Sequence, residues 1–273
     1  MKLKHFHVIG NGSGEISPIS SKTFTKVYFN VDPSPKESDY TDAIVIRSQR
    51  QKKEPHGKFT IYYAPNIDLA NELEQKLNQT AYNLHRHLLA WPSSGLAFIK
   101  TVFDQAESIH IDRIGLDPSL QAPLSKAPKY SAPSTFHNWI AERRYVLEMI
   151  KKTPSEKFSW TSLMTTNHYK GFLNVKNPYE LFERGFANKD IDAMQTALKT
   201  NFSNWESYLK QGDLFLNLEK KLFLQRGEKI SSNWWLFDVQ NSMLADLLSN
   251  LLRHHLNRVH CSGLSEIASN LPE

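Results

Sequence analysis

The stretch WPSSGLAFIKTVFDQAESIHIDRIGLD, residues 91–117, predicts a turn, a helix and a strand that ends at a ligand site. Pro92 and Gly95 lie at the two ends of a predicted polar turn, because proline fixes its own φ angle and glycine tolerates unusual backbone angles. The β-branched run at 109–114 predicts a buried strand, and parallel α/β sheets bind ligands where such strands end, here at residues 115–117. Between turn and strand, apolar residues recur at helical spacing: Leu96, Ile99, Phe103 and Ala106.

Two serines stand where this helix begins. The first N–H groups of a helix have no partner inside the helix. The N–H groups at Ser93 and Ser94 therefore favour the binding of an anion such as a phosphate or a carboxylate. A purely structural role as helix caps is an open alternative for both.

A glycine-rich loop follows the first predicted strand, residues 6–9. In the loop G-N-G-S-G, at 10–14, glycines would let backbone N–H groups approach a phosphate or a ribose. The same glycines fit the G-x-G-x-G of a methyltransferase, with Asp32 as its acid, although Val8 stands where such enzymes usually carry an acidic residue. A structural glycine turn also remains open.

Strand and helix patterns alternate through the first half of the chain. Strands are predicted at 27–31, 43–46 and 59–63, and a helix at 68–89. Asn30 is expected at the sheet edge, at the end of the strand predicted at 27–31, where its amide suits a ribose or a base. A basic loop, residues 47–53, follows the strand predicted at 43–46. The pattern predicts an α/β fold, with a mostly parallel Rossmann-like sheet flanked by helices in residues 1–152.

A proline-rich segment, residues 118–136, separates this unit from the next helix. It is a candidate lid from which Tyr130 could reach a phosphate, or else a plain linker. His137 then begins a predicted helix whose polar sides carry Glu142 and Arg143. A histidine can take a proton from a substrate hydroxyl near neutral pH, but a structural role at the helix start is equally open.

The apolar pattern of residues 153–273 predicts a helical C-terminal subdomain and no further strand. The helices are expected at 177–187, 190–198, 205–221 and 234–259. The last has a leucine-rich face that suits a core or a homo-oligomer contact, or, with its basic end, a peripheral contact with a membrane surface.

Composition narrows the choice of partner and compartment. The 273 residues carry a net charge of +5 that is spread along the chain, which fits a nucleotide or an anionic surface and gives little support to nucleic acid. Cys261 is the only cysteine, which excludes an intrachain disulfide and a cysteine-based zinc site. His85 and His87 lie on different helical faces, so we propose no metal site from the sequence. The sequence contains no apolar run long enough to span a membrane. We therefore expect a cytoplasmic protein, and peripheral contact with the inner membrane is an open alternative.

Four pieces of the chain, in order, resemble the bacterial lipo-oligosaccharide sialyltransferases. The P-S-S-G turn, helix and G-L-D strand end, residues 92–117, are similar to that family's small motif. The sequence V-I-G-N-G-S at 8–13 resembles its first strand and G-N-G-P-S turn, with Ser13 in place of proline, and V-Y-F-N at 27–30 resembles its second strand. His137 and Glu142 match its late H-x4-[DE] motif.

The resemblance implies a GT-A-like sialyltransferase of bacterial lipopolysaccharide biosynthesis. Such an enzyme moves a sialic-acid-type sugar from a cytidine-monophosphate (CMP) donor to a glycan or lipo-oligosaccharide acceptor, without a metal or another cofactor. His137 would be the catalytic base. Together with the candidate lid, which contributes Tyr130, the resemblance gives these expected donor-binding residues: Asn11, Gly12, Ser13, Asn30, Ser93, Ser94, Gly95, Asp117 and Tyr130.

The chain departs from the family at positions that touch the donor. Trp91 stands where the family has arginine, Arg47 and Ser48 where it has asparagine, and Ser119 where it has tyrosine. Two other functions therefore stay open: a non-catalytic nucleotide- or glycan-binding protein on the same fold, and an S-adenosylmethionine-dependent methyltransferase.

Overall fold

The computed structural model describes residues 4–12, 15–19, 24–30, 43–50, 57–88, 90–116, 139–151, 157–160 and 171–209, with single positions at 247, 251 and 254. Twelve helices and strands lie in these ranges. The strands are β1 (His5–Ile9), β2 (Thr25–Phe29), β3 (Ala43–Arg50), β4 (Gly57–Tyr63), β5 (Ser108–Asp112) and β6 (Phe158–Trp160). The helices are α1 (Ile67–Leu88), α2 (Ser94–Val102), α3 (Trp139–Lys151), α4 (Pro178–Asn188), α5 (Ile191–Leu198) and α6 (Phe202–Leu209).

The six strands form one sheet in the order β4-β3-β2-β1-β5-β6. Every neighbouring pair is parallel except β3 and β4, which are antiparallel. The chain steps outward from β1 to β2 and β3, and then crosses back to place β5 and β6 on the other side of β1. This is the order of a doubly wound, Rossmann-like sheet with an antiparallel strand added at one edge.

One face of the sheet packs against helices. Phe6 of β1 and Phe29 of β2 both contact Phe98 of α2, with ring centroids 5.5 Å and 6.4 Å apart. The same core includes Leu77 of α1 and Val146 of α3, both fully buried. Strands β1 and β5 are strongly apolar at the positions facing these helices, as expected for a covered parallel sheet.

Side chains of α1 hold the edge strand β4. Asn78 accepts a hydrogen bond from the Phe59 N–H at 2.9 Å and donates one to the Phe59 carbonyl at 2.8 Å. Glu74 accepts from the Ile61 N–H at 2.9 Å. The outer edge of β4 is thus bonded by the helix that follows it, which protects an edge that could otherwise pair with another chain.

Helices α4 to α6 pack around buried Phe182, Met194 and Trp205. Asp190 caps α5 by accepting from the Ala193 N–H at 3.0 Å, and Lys189 ends α4 with a φ of 57°. These features agree with the helical pattern expected for this part of the chain.

The α/β fold and its mostly parallel sheet are confirmed, and one expectation needs correction. Strand β6 pairs with β5 in parallel, so the expectation of no strand in residues 153–273 was wrong. Three residues are too few to show an alternating pattern, which is why β6 was missed. Residues 210–221 and nearly all of 234–259, expected to be helical, lie outside the described residues.

Candidate functional site

The sheet has its topological switch point between β1 and β5. The two strands are parallel neighbours, with Ile9 in register with Asp112, and the chain leaves their carboxyl ends in different directions. In sheets of this kind ligands bind in the crevice outside those ends. Residues 10–12 follow β1 and residues 113–116 follow β5, so the two loops meet at this edge.

The glycine loop after β1 is bonded to the loop after β5. Gly10 N–H donates to the Asp112 carbonyl at 2.9 Å, and Gly12 N–H donates to the Arg113 carbonyl at 3.1 Å. A side chain at Gly10 would place its Cβ only 2.4 Å from the Arg113 carbonyl oxygen. The glycines therefore allow close approach of two backbone segments. Gly12, expected to offer its N–H to a donor phosphate, uses that N–H inside the protein.

Asn11 and Asn30 join the strand ends to their neighbours. The Asn11 amide donates to the Phe29 carbonyl at 2.8 Å. The Asn30 side-chain oxygen accepts from both the N–H and the hydroxyl of Ser48, at 2.8 Å and 3.2 Å. Asn30 is exposed, and its amide nitrogen makes no hydrogen bond with the described residues.

A carboxylate of the chain itself occupies the start of α2. Ser93 N–H donates to Glu142 Oε1 at 2.7 Å, and the Ser93 hydroxyl donates to Glu142 Oε2 at 2.6 Å. The same hydroxyl oxygen caps the helix by accepting from the Leu96 N–H at 3.3 Å. Glu142 is fully buried, and burial raises its pKa to about 7, although its bonds to Ser93 oppose this. We expected a ligand phosphate at Ser93; in the structure both polar groups of Ser93 bind Glu142.

Ser94 and Gly95 keep donors available at the same helix start. The N–H groups of Ser94 and Gly95 make no hydrogen bond with the residues that the structure describes. Ser94 is half-buried, whereas Gly95 is buried against Ile114, whose Cδ1 would lie 2.8 Å from an added Cβ. Ser94 is therefore the more accessible contact for an anion.

The loop after β5 is held in place by two long side chains. Arg143 donates to the Gly115 carbonyl at 2.8 Å, and Trp160 of β6 donates to the Ile114 carbonyl at 2.7 Å. Arg143 is fully buried. The expectation that Glu142 and Arg143 face solvent on α3 was wrong, because each charged group has polar partners that make its burial tolerable.

A second polar group lies on the sheet itself. His7 Nε2 donates to Asp112 Oδ2 at 2.8 Å, and His110 Nε2 lies 3.4 Å from Asp112 Oδ1. Ser17 adds two hydrogen bonds to the same carboxylate, from its N–H at 2.8 Å and from its hydroxyl at 3.1 Å. We call His7, His110 and Asp112 the sheet cluster.

Burial and hydrogen bonds act in opposite directions on the pKa values of His7 and Asp112. Burial lowers the pKa of His7, and the hydrogen bond to Asp112 offsets this only in part. Burial would raise the pKa of Asp112, but the bonds from Ser17 and His7 bring it below its ordinary value. His7 Nδ1 and His110 Nε2 are buried without a hydrogen-bond partner among the described residues. Sequence reasoning missed this cluster, and the only local signal was His110 and Asp112 two residues apart on one strand face.

Of the other residues that the sequence pointed to at the donor site, some lie within the described ranges and others lie outside them. Trp91 packs against Phe59, with ring centroids 5.7 Å apart, and Arg47 lies 3.8 Å over the Tyr62 ring. Four donor-site or catalytic candidates lie outside the described residues: Ser13, Asp117, Tyr130 and His137. The candidate lid and Ser119 lie there as well.

Comparison of the chain with protein-family models, with curated proteins and with solved structures finds no match. Among the described residues, no helix combines the length and the apolar character needed to cross a membrane.

Proposed function

We propose that the protein is a glycosyltransferase that moves a sialic-acid-type sugar from a CMP-activated donor to a glycan acceptor. One observation carries the proposal: the start of α2 and the glycine loop meet at the sheet's switch point. Ile114 lies between them, since an added Cβ at Gly10 would fall 2.5 Å from Ile114 Cγ1 and one at Gly95 would fall 2.8 Å from Ile114 Cδ1. A helix N-terminus at such a crevice suits the phosphate of a nucleotide.

The donor phosphate would bind at Ser94. Its hydroxyl and the N–H groups of Ser94 and Gly95 supply hydrogen-bond donors, and the positive end of the α2 dipole adds to them. These donors would stabilise the negative charge that develops on the leaving monophosphate. Because they are fixed by the helix, they need little reorganisation when the sugar leaves.

The nucleoside would lie along the strand ends towards β2. Asn30 offers there an amide nitrogen that bonds to none of the described residues, and Asn11 lies between β1 and β2 through its bond to Phe29. Arg113 is partly exposed and donates through Nε to the Gly12 carbonyl at 2.7 Å. Its guanidinium is a candidate partner for the phosphate or for the carboxylate of the sugar, and sequence reasoning had not singled it out.

In the proposed reaction His137 takes the proton of the acceptor hydroxyl. The acceptor oxygen then attacks the anomeric carbon, the bond from that carbon to the phosphate oxygen breaks, and CMP leaves with the electron pair. Glu142, five residues after His137, is bonded to Ser93 beside Ser94. This bond anchors the first turn of α3 at the start of α2.

A ligand screen by thermal shift tests this function. We expect CMP and CMP-activated sialic acid to raise the melting temperature, because a ligand at about 100 times its dissociation constant adds about 2.7 kcal/mol to stability. Uridine and adenosine nucleotides at the same concentration are the controls. A shift with S-adenosylmethionine and none with cytidine nucleotides would instead favour a methyltransferase, and donor binding without transfer or hydrolysis would favour a binding protein.

A further inference from the structure

We propose that the sheet cluster, His7, His110 and Asp112, binds one late first-row divalent metal ion of the Zn²⁺ class. Sheet register brings the three side chains together, because His7 pairs with His110 across the parallel strands and Asp112 is two residues further along β5. Residues two apart on a strand point to the same face. The cluster thus lies on rigid strands.

The spacing of the donor atoms suits such an ion. The three ligand atoms lie within 4.8 Å of one another. Zinc bonds of about 2.0 to 2.1 Å in a tetrahedral site place neighbouring donors about 3.3 Å apart. His7 Nε2 lies 2.8 Å from Asp112 Oδ2, and His110 Nε2 lies 3.4 Å from Asp112 Oδ1, so each imidazole has a carboxylate oxygen close to that spacing. An ion would replace the proton that His7 now donates to Asp112.

The surroundings prepare the carboxylate as a ligand. Ser17 donates to both Asp112 oxygens and so fixes their orientation, which is how metal-binding carboxylates are usually supported. His110 Nε2 is buried, faces Asp112 Oδ1 and makes no hydrogen bond with a described residue. A polar atom left in this way is costly, and coordination to a cation would satisfy it.

The donor set selects the kind of ion. Two imidazoles and one carboxylate suit Zn²⁺, Co²⁺ and Ni²⁺, whereas Mg²⁺ and Ca²⁺ prefer oxygen donors. His7 and Asp112 are only 1% and 5% exposed, but the His110 side chain is 18% exposed. An ion would therefore enter past the partly exposed His110 ring to reach Nε2, which is itself buried.

The ion would have a structural role distinct from the proposed transfer reaction. Phe6 faces α2, so the adjacent His7 faces the opposite side of the sheet. Through Asp112 and Ser17 the ion would join β1, β5 and the segment at 15–19. Metal binding and nucleotide binding can therefore succeed or fail independently.

The test uses the 273-residue chain without a tag, stripped of metal with a chelator. We expect calorimetric titration with Zn²⁺ to give one high-affinity ion per chain, Co²⁺ to give the absorption of a nitrogen- and oxygen-ligated ion, and Mg²⁺ to give no binding. His110→Ala should lower the Zn²⁺ affinity by about 100-fold or more, and Ser17→Ala by about 10- to 100-fold. His87→Ala, which removes an exposed histidine of α1, should leave the affinity unchanged.

Two results would overturn the proposal. One is wild-type protein that binds neither Zn²⁺ nor Co²⁺ at the micromolar level. The other is folded His110→Ala or Ser17→Ala protein whose affinity equals that of His87→Ala. Either result would make the sheet cluster a hydrogen-bonded polar group only. Circular dichroism of each metal-free variant verifies folding, and Ser17→Ala decides the matter if His110→Ala does not fold.

Discussion

Ser93 and Glu142 join the start of α2 to the first turn of α3 through two hydrogen bonds that span 49 residues of sequence. The carboxylate lies at the positive end of the α2 dipole, where a negative charge is stabilised. The serine turn thus holds the Glu142 carboxyl at Ser93, while the N–H groups of Ser94 and Gly95 bond to none of the described residues.

The burial of Glu142 predicts how stability depends on pH. Its pKa rises from 4.5 to about 7 on folding, so the folded protein holds this proton more tightly than the unfolded chain does. The resulting stabilisation is complete below about pH 4.5 and is lost as the pH rises through 7, by up to about 3 kcal/mol. Glu142→Gln cannot titrate. We therefore expect wild-type unfolding free energy to fall relative to this variant between pH 5 and pH 8.

Glu148→Gln is the matched control for this measurement, since Glu148 is an exposed glutamate of the same helix. It should follow the wild-type pH profile when unfolding is monitored by urea titration. Parallel profiles for wild type and Glu142→Gln would mean that Glu142 does not carry the raised pKa.

The two adjacent serines should separate stability from ligand binding. Ser93→Ala removes a helix cap and a donor to buried Glu142, so we expect a loss of about 1 to 3 kcal/mol in unfolding free energy. Ser94→Ala should change stability by less than about 1 kcal/mol and weaken CMP binding about tenfold, because it removes one hydroxyl contact to a charged phosphate. Denaturation and calorimetry measure the two effects.

Ser203→Ala, on the exposed side of α6, is the control for both serine variants and should alter neither quantity. Normal CMP affinity in folded Ser94→Ala protein would show that the phosphate, if it binds, binds elsewhere.

Gly10→Ala should destabilise the protein by about 1 to 3 kcal/mol or more, because the new methyl group meets a backbone carbonyl 2.4 Å away. Gly57→Ala is the comparison. There the nearest atom, at 2.8 Å, belongs to the Trp91 side chain, which can move more easily than backbone. We expect the smaller loss at Gly57 in urea denaturation. Equal losses would mean that the loops after β1 and β5 can separate at little cost.

Much of the fold could be predicted from local pattern. Strands β1 to β5 and helices α1 and α2 are long or strongly apolar, so their periodicity shows in the sequence. The switch-point loops followed from strand order and glycine spacing. Strand β6 is too short to show a pattern.

The chemistry of the candidate site depends on contacts that no local pattern contains. Glu142 was expected on a polar side of α3, and only tertiary packing brings it to Ser93. His7 and His110 lie more than 100 residues apart in the chain, and strand register alone places them side by side. The same holds for the Gly12 N–H, whose partner is a carbonyl of another loop.

Transfer of labelled sialic acid from its CMP-activated form to a panel of glycan acceptors tests the central claim most directly, with donor hydrolysis followed in the same reaction. We predict that wild-type protein transfers the sugar, and that His137→Ala binds CMP normally while turnover falls about 10²- to 10⁴-fold, the usual contribution of a positioned base. Wild-type protein that neither transfers nor hydrolyses the bound donor would contradict the account.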